Sequence, residues 1–166
     1  MNKYPELQHA ESLIYNKLGF SCENIVLENE SQDYAAASFT LNHHRILFRA
    51  SKITPTKTGQ FVTLWKRIHH GPIQPFDLND PIDFVMISVR SKNNIGQFIF
   101  PKKILVEKKI FSKNNSGGKR AIRVYAPWDE ANSKQAQQTK AWQSAFFYET
   151  FFECSVLFDS KMRIKR

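Results

Sequence analysis

Apolar residues in this chain change spacing several times, and each change marks a predicted element. Across residues 5–18 they recur as Leu7, Ala10, Ile14 and Leu18, one face of a helix with Pro5 in its first turn and Gly19 as its stop. Residues 24–29, NIVLEN, form a short strand-like run. Over residues 34–41 the period falls to two, placing Ala35, Ala37, Phe39 and Leu41 on one face of a strand. The polar triplet Asn42, His43, His44 then turns the chain into a third strand, residues 45–53, so an antiparallel hairpin is expected.

Residues 57–70 carry strand formers in FVTLW, yet Phe61, Leu64, Trp65 and Ile68 fall at helical spacing and His69, His70, Gly71, Pro72 reads as a helix stop. The spacing predicts a helix. Residues 83–90, DFVMISVR, are almost continuously apolar and of strand length, as in a central strand buried on both faces. GQFIF follows as a further strand ended by Pro101, and residues 101–109 fit a short helical turn. SKNNSGGKR, residues 112–120, reads as a flexible basic loop, and residues 120–128 as an edge strand that Pro127 ends. A last helix is expected over residues 133–153, with Ala141, Ala145, Tyr148 and Phe152 in one stripe and Trp142 beside it.

The predicted order is helix, three strands, helix, strand, then a further strand and helix, an α/β arrangement with a mixed sheet flanked by helices. The 166 residues suit a single domain, with 154–166 as a flexible tail, and 42% hydrophobic content with 14 Phe supplies an interior that excludes a disordered chain. No apolar run approaches the length of a membrane span, and the N-terminus does not read as a signal peptide. Cys22 and Cys154 lie far apart without metal-ligand spacing, so free thiols in a reducing, cytoplasmic setting are expected, with no membrane partner.

A formal net charge of +9 changes the picture, because it favours polyanionic partners. Between residues 49 and 67 stand five cations, Arg49, Lys52, Lys57, Lys66 and Arg67, and no acid. On the expected helix, Lys57, Gln60 and Arg67 line up beside the buried stripe with Lys66 on its outer side. With Lys119, Arg120 and Arg123 after the Gly-Gly loop they would form a cationic groove able to follow a phosphate backbone of DNA or RNA. Tyr125 and Trp128 could stack on unpaired bases there. The pairs His43-His44 and His69-His70 lack companion ligands, and SGGKR lacks the full phosphate-loop pattern.

Strand parity supplies one further candidate. On the third strand Ile46, Phe48, Ala50 and Lys52 share a face, which stands Lys52 at the end of an apolar row. A lysine so placed, within an α-β-β-β-α-β order, resembles the PD-(D/E)XK restriction-endonuclease-like core. That resemblance implies Mg²⁺ as cofactor, held by an acid two residues before the lysine and another on the preceding strand. The first position is Ala50 here, so the metal site is incomplete, and the remaining acid candidates are Asp33, Glu30 and Glu11. A second match to the motif letters, Asp83 with Glu107 and Lys109, requires residues 107–109 to be a strand, whereas their spacing favours a helix.

The segments SKITPTKTGQFVTLWKR, GPIQPFD, DFVMISVR, GQFIFPKKILVEK, GKRAIRVYAPWD and SKQAQQTKAWQ, spread over roughly residues 5 to 150, resemble the MepB family. The resemblance implies a nuclease-like fold and leaves the activity open. The expected function is sequence-nonspecific nucleic-acid binding on a nuclease-like scaffold with an incomplete metal site. A Mg²⁺-dependent nuclease is the alternative. A drug-response or regulatory module is a third reading, motivated by the family's gene neighbourhood beside a multidrug efflux pump.

Overall fold

In the computed structural model, residues 4–16 and 19–149 are described. The expected tail 154–166, Cys154, Phe152, Leu18 and the side chain of Ile14 lie outside them. Helix α1 spans Pro5–Ala10, its first turn started by the proline, and the backbone widens into a π turn over Glu11–Tyr15. The strands are β1 Cys22–Leu27, β2 Ala37–Leu41, β3 His44–Ala50, β4 Lys52–Ile53, β5 Gln60–Thr63, β6 Trp65–Arg67, β7 Ile73–Pro75, β8 Phe84–Arg90, β9 Ile95–Pro101, β10 Ala121–Val124 and β11 Phe147–Tyr148. Helix α2 covers Lys102–Glu107 and α3 covers Lys134–Gln143.

Six strands form one mixed sheet in the order β1-β2-β3-β8-β9-β11, in which only the β3–β8 pair is parallel. The β2–β3 hairpin turns through Asn42 and His43, at φ 46° and 65°, the left-handed pair that a tight two-residue connection requires. His44 therefore belongs to the strand, buried with its ring edge-on to Phe84. Because β3 and β8 are central, alternate residues feed two cores. Ile46, Phe48, Ala50, Phe84 and Met86 pack with Leu7, Ala10 and Tyr15 of the N-terminal helical segment. Leu47, Val85, Ile87 and Val89 face the other way, onto Val62, Leu64, Leu105, Ile122 and Val124. The expected mixed sheet, its hairpin and its buried central strand are all present.

Parallel neighbours need a crossover, and here it differs from the sequence expectation. Residues 57–70 are not a helix. Gln60, Val62 and Leu64 are buried while Phe61, Thr63 and Trp65 are half-buried, so the true period is two, and Ile68 stands 48% exposed. The helical spacing of Phe61, Leu64 and Trp65 is coincidental. β5 is held as a strand by neighbours distant in sequence, β4 on one side and β10 on the other, in a three-stranded sheet. His69 and His70, at φ 49° and 61°, turn the chain between β6 and β7 instead of capping a helix. The core runs as helix, three antiparallel strands and a parallel fourth, with short strands in place of the expected crossover helix.

The third strand also divides. The Ser51 N–H still donates to the Ser88 carbonyl at 3.0 Å, as a continuation of β3, but Lys52 already pairs with Phe61 in the small sheet. Its side chain thus leaves the row of Ile46, Phe48 and Ala50.

At the far end, Ser133 caps α3 by accepting the Ala136 N–H at 3.1 Å, as its position predicts. The helix stops at Gln143 instead of running to 153, and Ala141 and Ala145 are exposed. A 3₁₀ turn over Ser144–Phe146 delivers Phe147 to the open edge of β9, where the absence of a side chain on Gly96 admits its ring. A Cβ at Gly96 would clash with that ring. Edge pairing and aromatic burial outweigh helix continuation. Among the described residues no helix is long and apolar enough to cross a membrane.

Candidate nucleic-acid interface

Register across the small sheet sets the site. Lys52 of β4, Phe61 of β5 and Arg123 of β10 are successive cross-strand partners, and such partners share a face. At one end of this row the Lys52 ammonium lies 4.9 Å from the centroid of the Tyr34 ring and 3.9 Å from Asp33 Oδ2. At the other end the Arg123 guanidinium, 5.8 Å from the Phe61 ring centroid, donates to the carbonyls of Thr58 and Gly59 and, at 2.7 Å, to Thr54 Oγ1. Arg123 therefore braces the loop that carries Lys57.

Beyond the row, between β10 and α3, opens a cleft of about 710 Å³. Lys57, Lys108, Lys119 and Arg123 line it, and among the described residues no carboxylate does. The Lys108 ammonium sits 5.7 Å from the centroid of the Trp142 ring, which also lines the cleft and packs against Phe100 and Phe146. Lys57, Lys108 and Lys119 form no ion pair among the described residues. Uncompensated cations facing a solvent-filled cleft raise the local concentration of anions.

The stretch from Arg49 to Arg67 behaves differently. Its cations were expected to be unopposed, yet four of the five meet an acid. The loop after β1 supplies Glu28 to Arg49 at 2.9 Å, Glu30 to Arg67 at 2.8 Å and Asp33 to Lys52, while Asp80 takes Lys66 at 2.7 Å. Arg49 is wholly buried, with Nη1 and Nη2 donating to the two Glu28 oxygens and Nη1 also to the Phe48 carbonyl. Burial lowers its affinity for the proton and Glu28 opposes that shift. The buried cation of this stretch is thus Arg49, one strand face away from the Lys52 predicted by parity.

Other predicted positions fall as follows. Gln60 is buried, accepting the Ser51 hydroxyl at 2.6 Å and donating to the Arg90 carbonyl, so it does not face a groove. Lys66 and Arg67 lie on β6, where Arg67 is further held by the Gly71 carbonyl and the Trp65 ring. Lys119 and Arg123 line the cleft, whereas Arg120 is exposed outside it. Tyr125 is 9% exposed with its ring against Gly59, and Trp128 is edge-on to Phe147, so both rings serve packing first.

Of the acid candidates, Asp33 alone is paired with Lys52. Glu30 serves Arg67, Glu11 lies in the π turn after α1, and Ala50 is buried in the core. The second motif match does not assemble either. Asp83 is clasped by Arg45, Glu107 ends α2 and Lys109 turns at φ 58°. Among the described residues no three of His, Cys, Asp and Glu converge as for a metal ion. Sequence reasoning missed Lys108, in the turn after α2, and Trp142, on α3; only tertiary packing brings them together.

Beside the mixed sheet lies a basic cleft with no carboxylate among the described residues that line it. Residues 28–149 match the MepB-like family model, and the chain belongs to that family. A solved structure described as MepB superposes with a TM-score of 0.76 at 34% identity, covering 89% of this chain and 97% of that one. A bacterial homing endonuclease aligns at 12% identity with a TM-score of 0.45, over 85% of this chain and 87% of its own. No functionally curated protein shows significant sequence similarity.

Proposed function

We propose that the protein binds nucleic acid, without sequence preference, along the outer face of the small sheet and into the cleft beneath α3. The single observation that carries this reading is the cleft wall itself, with Lys57, Lys108, Lys119 and Arg123 and no carboxylate among the described residues that line it. Phosphate contacts from such side chains supply affinity but carry no base information. Trp142 adds an aromatic surface, which favours single strands with accessible bases.

The family's fold resemblance implies Mg²⁺, and the residues present do not fit it. Among the described residues the acid paired with Lys52 is Asp33, 86% exposed, while the neighbouring position that should carry a second acid is Ala50, packed among apolar side chains. A binding role follows in place of hydrolysis, and a cytoplasmic location suits such a partner.

Fluorescence-anisotropy titration of labelled single-stranded DNA and RNA tests the proposal. Dissociation constants on the order of 10⁻⁴ to 10⁻⁶ M near physiological salt are expected, with log K falling against log salt at a slope of about −2 for three phosphate contacts. Absence of binding at low salt, or binding indifferent to salt, rejects it.

A further inference from the structure

A second crevice lies on another part of the molecule, where the β2–β3 turn, the loop leading into β8, and α2 meet. It encloses about 590 Å³, within the range usual for small-molecule sites, and shares no lining residue with the basic cleft. Its apolar wall is Ile82 and Phe84, both buried, with Leu78, Pro101 and Val106 half-buried. Around that wall stand His43, Arg45, Lys102, Lys103 and Lys113, with Asp83 as the one carboxylate among the described lining residues.

The polar groups are held in place before any ligand arrives. Arg45 donates from Nε and Nη2 to the two Asp83 oxygens at 3.2 and 3.0 Å, and its N–H donates to Asp83 Oδ2 at 2.8 Å. The Lys102 ammonium donates to the carbonyls of Leu78 and Asp80 at 2.8 and 2.6 Å, which leaves one of its three donors over. No carboxylate touches it, since Asp83 serves Arg45 and Asp80 serves Lys66. Burial and then Arg45 lower its proton affinity, and the nearby charges of Asp83, Asp80 and Asp77 oppose that shift without cancelling it. Lys103 and Lys113 are exposed and form no ion pair among the described residues.

We infer that this crevice binds a small amphipathic organic anion, a compact apolar body seated on Ile82, Phe84 and Val106 with an acidic group turned to Lys102, Lys103 and Lys113. Both halves of that chemistry are needed. Four cations against one carboxylate exclude a cationic ligand, and the apolar wall disfavours inorganic phosphate, which cannot cover it.

Calorimetric titration of the full chain tests this with three probes: 1-naphthoate, the matching naphthylmethylammonium cation, and inorganic phosphate. Saturable one-to-one binding of naphthoate is expected, with no binding of the other two. Charge reversal at the exposed pair, Lys103→Glu with Lys113→Glu, should weaken naphthoate at least about fivefold. Val106→Asp should abolish it, with circular dichroism confirming the fold. Lys57→Glu with Lys119→Glu should leave it unchanged. Equal binding of the cation, insensitivity to the Lys103 and Lys113 reversals, or displacement of naphthoate by an oligonucleotide would overturn the inference, the last by assigning the crevice to the nucleic-acid surface.

Discussion

Two sets of cations in this molecule share the same chemistry and meet different fates. Arg49, Lys52, Lys66 and Arg67 are each matched by an acid, three of them from a single loop carrying Glu28, Glu30 and Asp33. Lys57, Lys108 and Lys119 surround a cleft with no acid among the described residues of its wall. The first set ties the loop after β1 to β3, β4 and β6. The second leaves its charge available to a ligand. Density of positive charge along a chain therefore says little about where the positive surface is; that depends on which cations lack a partner in space.

Removing the buried member of the first set should have the largest effect. Arg49→Ala leaves Glu28 without its partner in a half-buried position and should lower unfolding free energy by about 3 kcal/mol, read from urea denaturation. A loss below about 1 kcal/mol would mean that the buried pair does not hold the loop.

Next comes the second set. Lys57→Glu with Lys119→Glu should weaken oligonucleotide binding about tenfold or more at low salt and flatten the salt slope by about 1 to 2, with thermal stability unaltered. An unchanged titration would remove the functional distinction between the two sets.

A smaller effect is expected at the exposed pair of the first set. Lys52→Ala should change stability by less than about 1 kcal/mol, because solvent screens a contact in which the side chains are 46% and 86% exposed. Its effect on oligonucleotide affinity should stay below that of the Lys57 and Lys119 variant. A larger loss would return Lys52 to the centre of the site.

The smallest signal should come from pH. Burial pushes the Asp83 carboxyl up, but the side-chain and backbone hydrogen bonds from Arg45 outweigh it and hold the group below its ordinary value. A carboxylate with a depressed folded-state pKa adds stability that is complete above its unfolded value, near 4, and is lost as pH falls through the folded value. Asp83→Asn should therefore lower stability slightly at pH 7 and flatten its fall below about pH 4, by under about 1 kcal/mol. An acid limb identical in the two proteins would show that the pair contributes nothing.

Local pattern determined a good part of this architecture. The alternation of Ala37, Phe39 and Leu41, the apolar run into β8, the Ser133 cap and the helical turn after Pro101 were all legible, because each is fixed by contacts within a few residues or by burial on a known face, whereas Ala35, expected on the same strand, precedes β2 in left-handed backbone at φ 50°. Family membership was legible too, in long matching segments. Residues 57–70 were misread because FVTLW satisfies both periods, and the choice was made by hydrogen bonds to β4 and β10. The end of α3 was likewise decided by an unpaired edge on β9 that no local signal announces. The site depended most on tertiary structure. Glu28, Glu30 and Asp33 neutralise cations at least 19 residues away, while Lys57, Lys108 and Lys119 converge from three separate segments. Charge on a residue belongs to its sequence, but the field that residue presents depends on its neighbours in space, and only the folded chain places them.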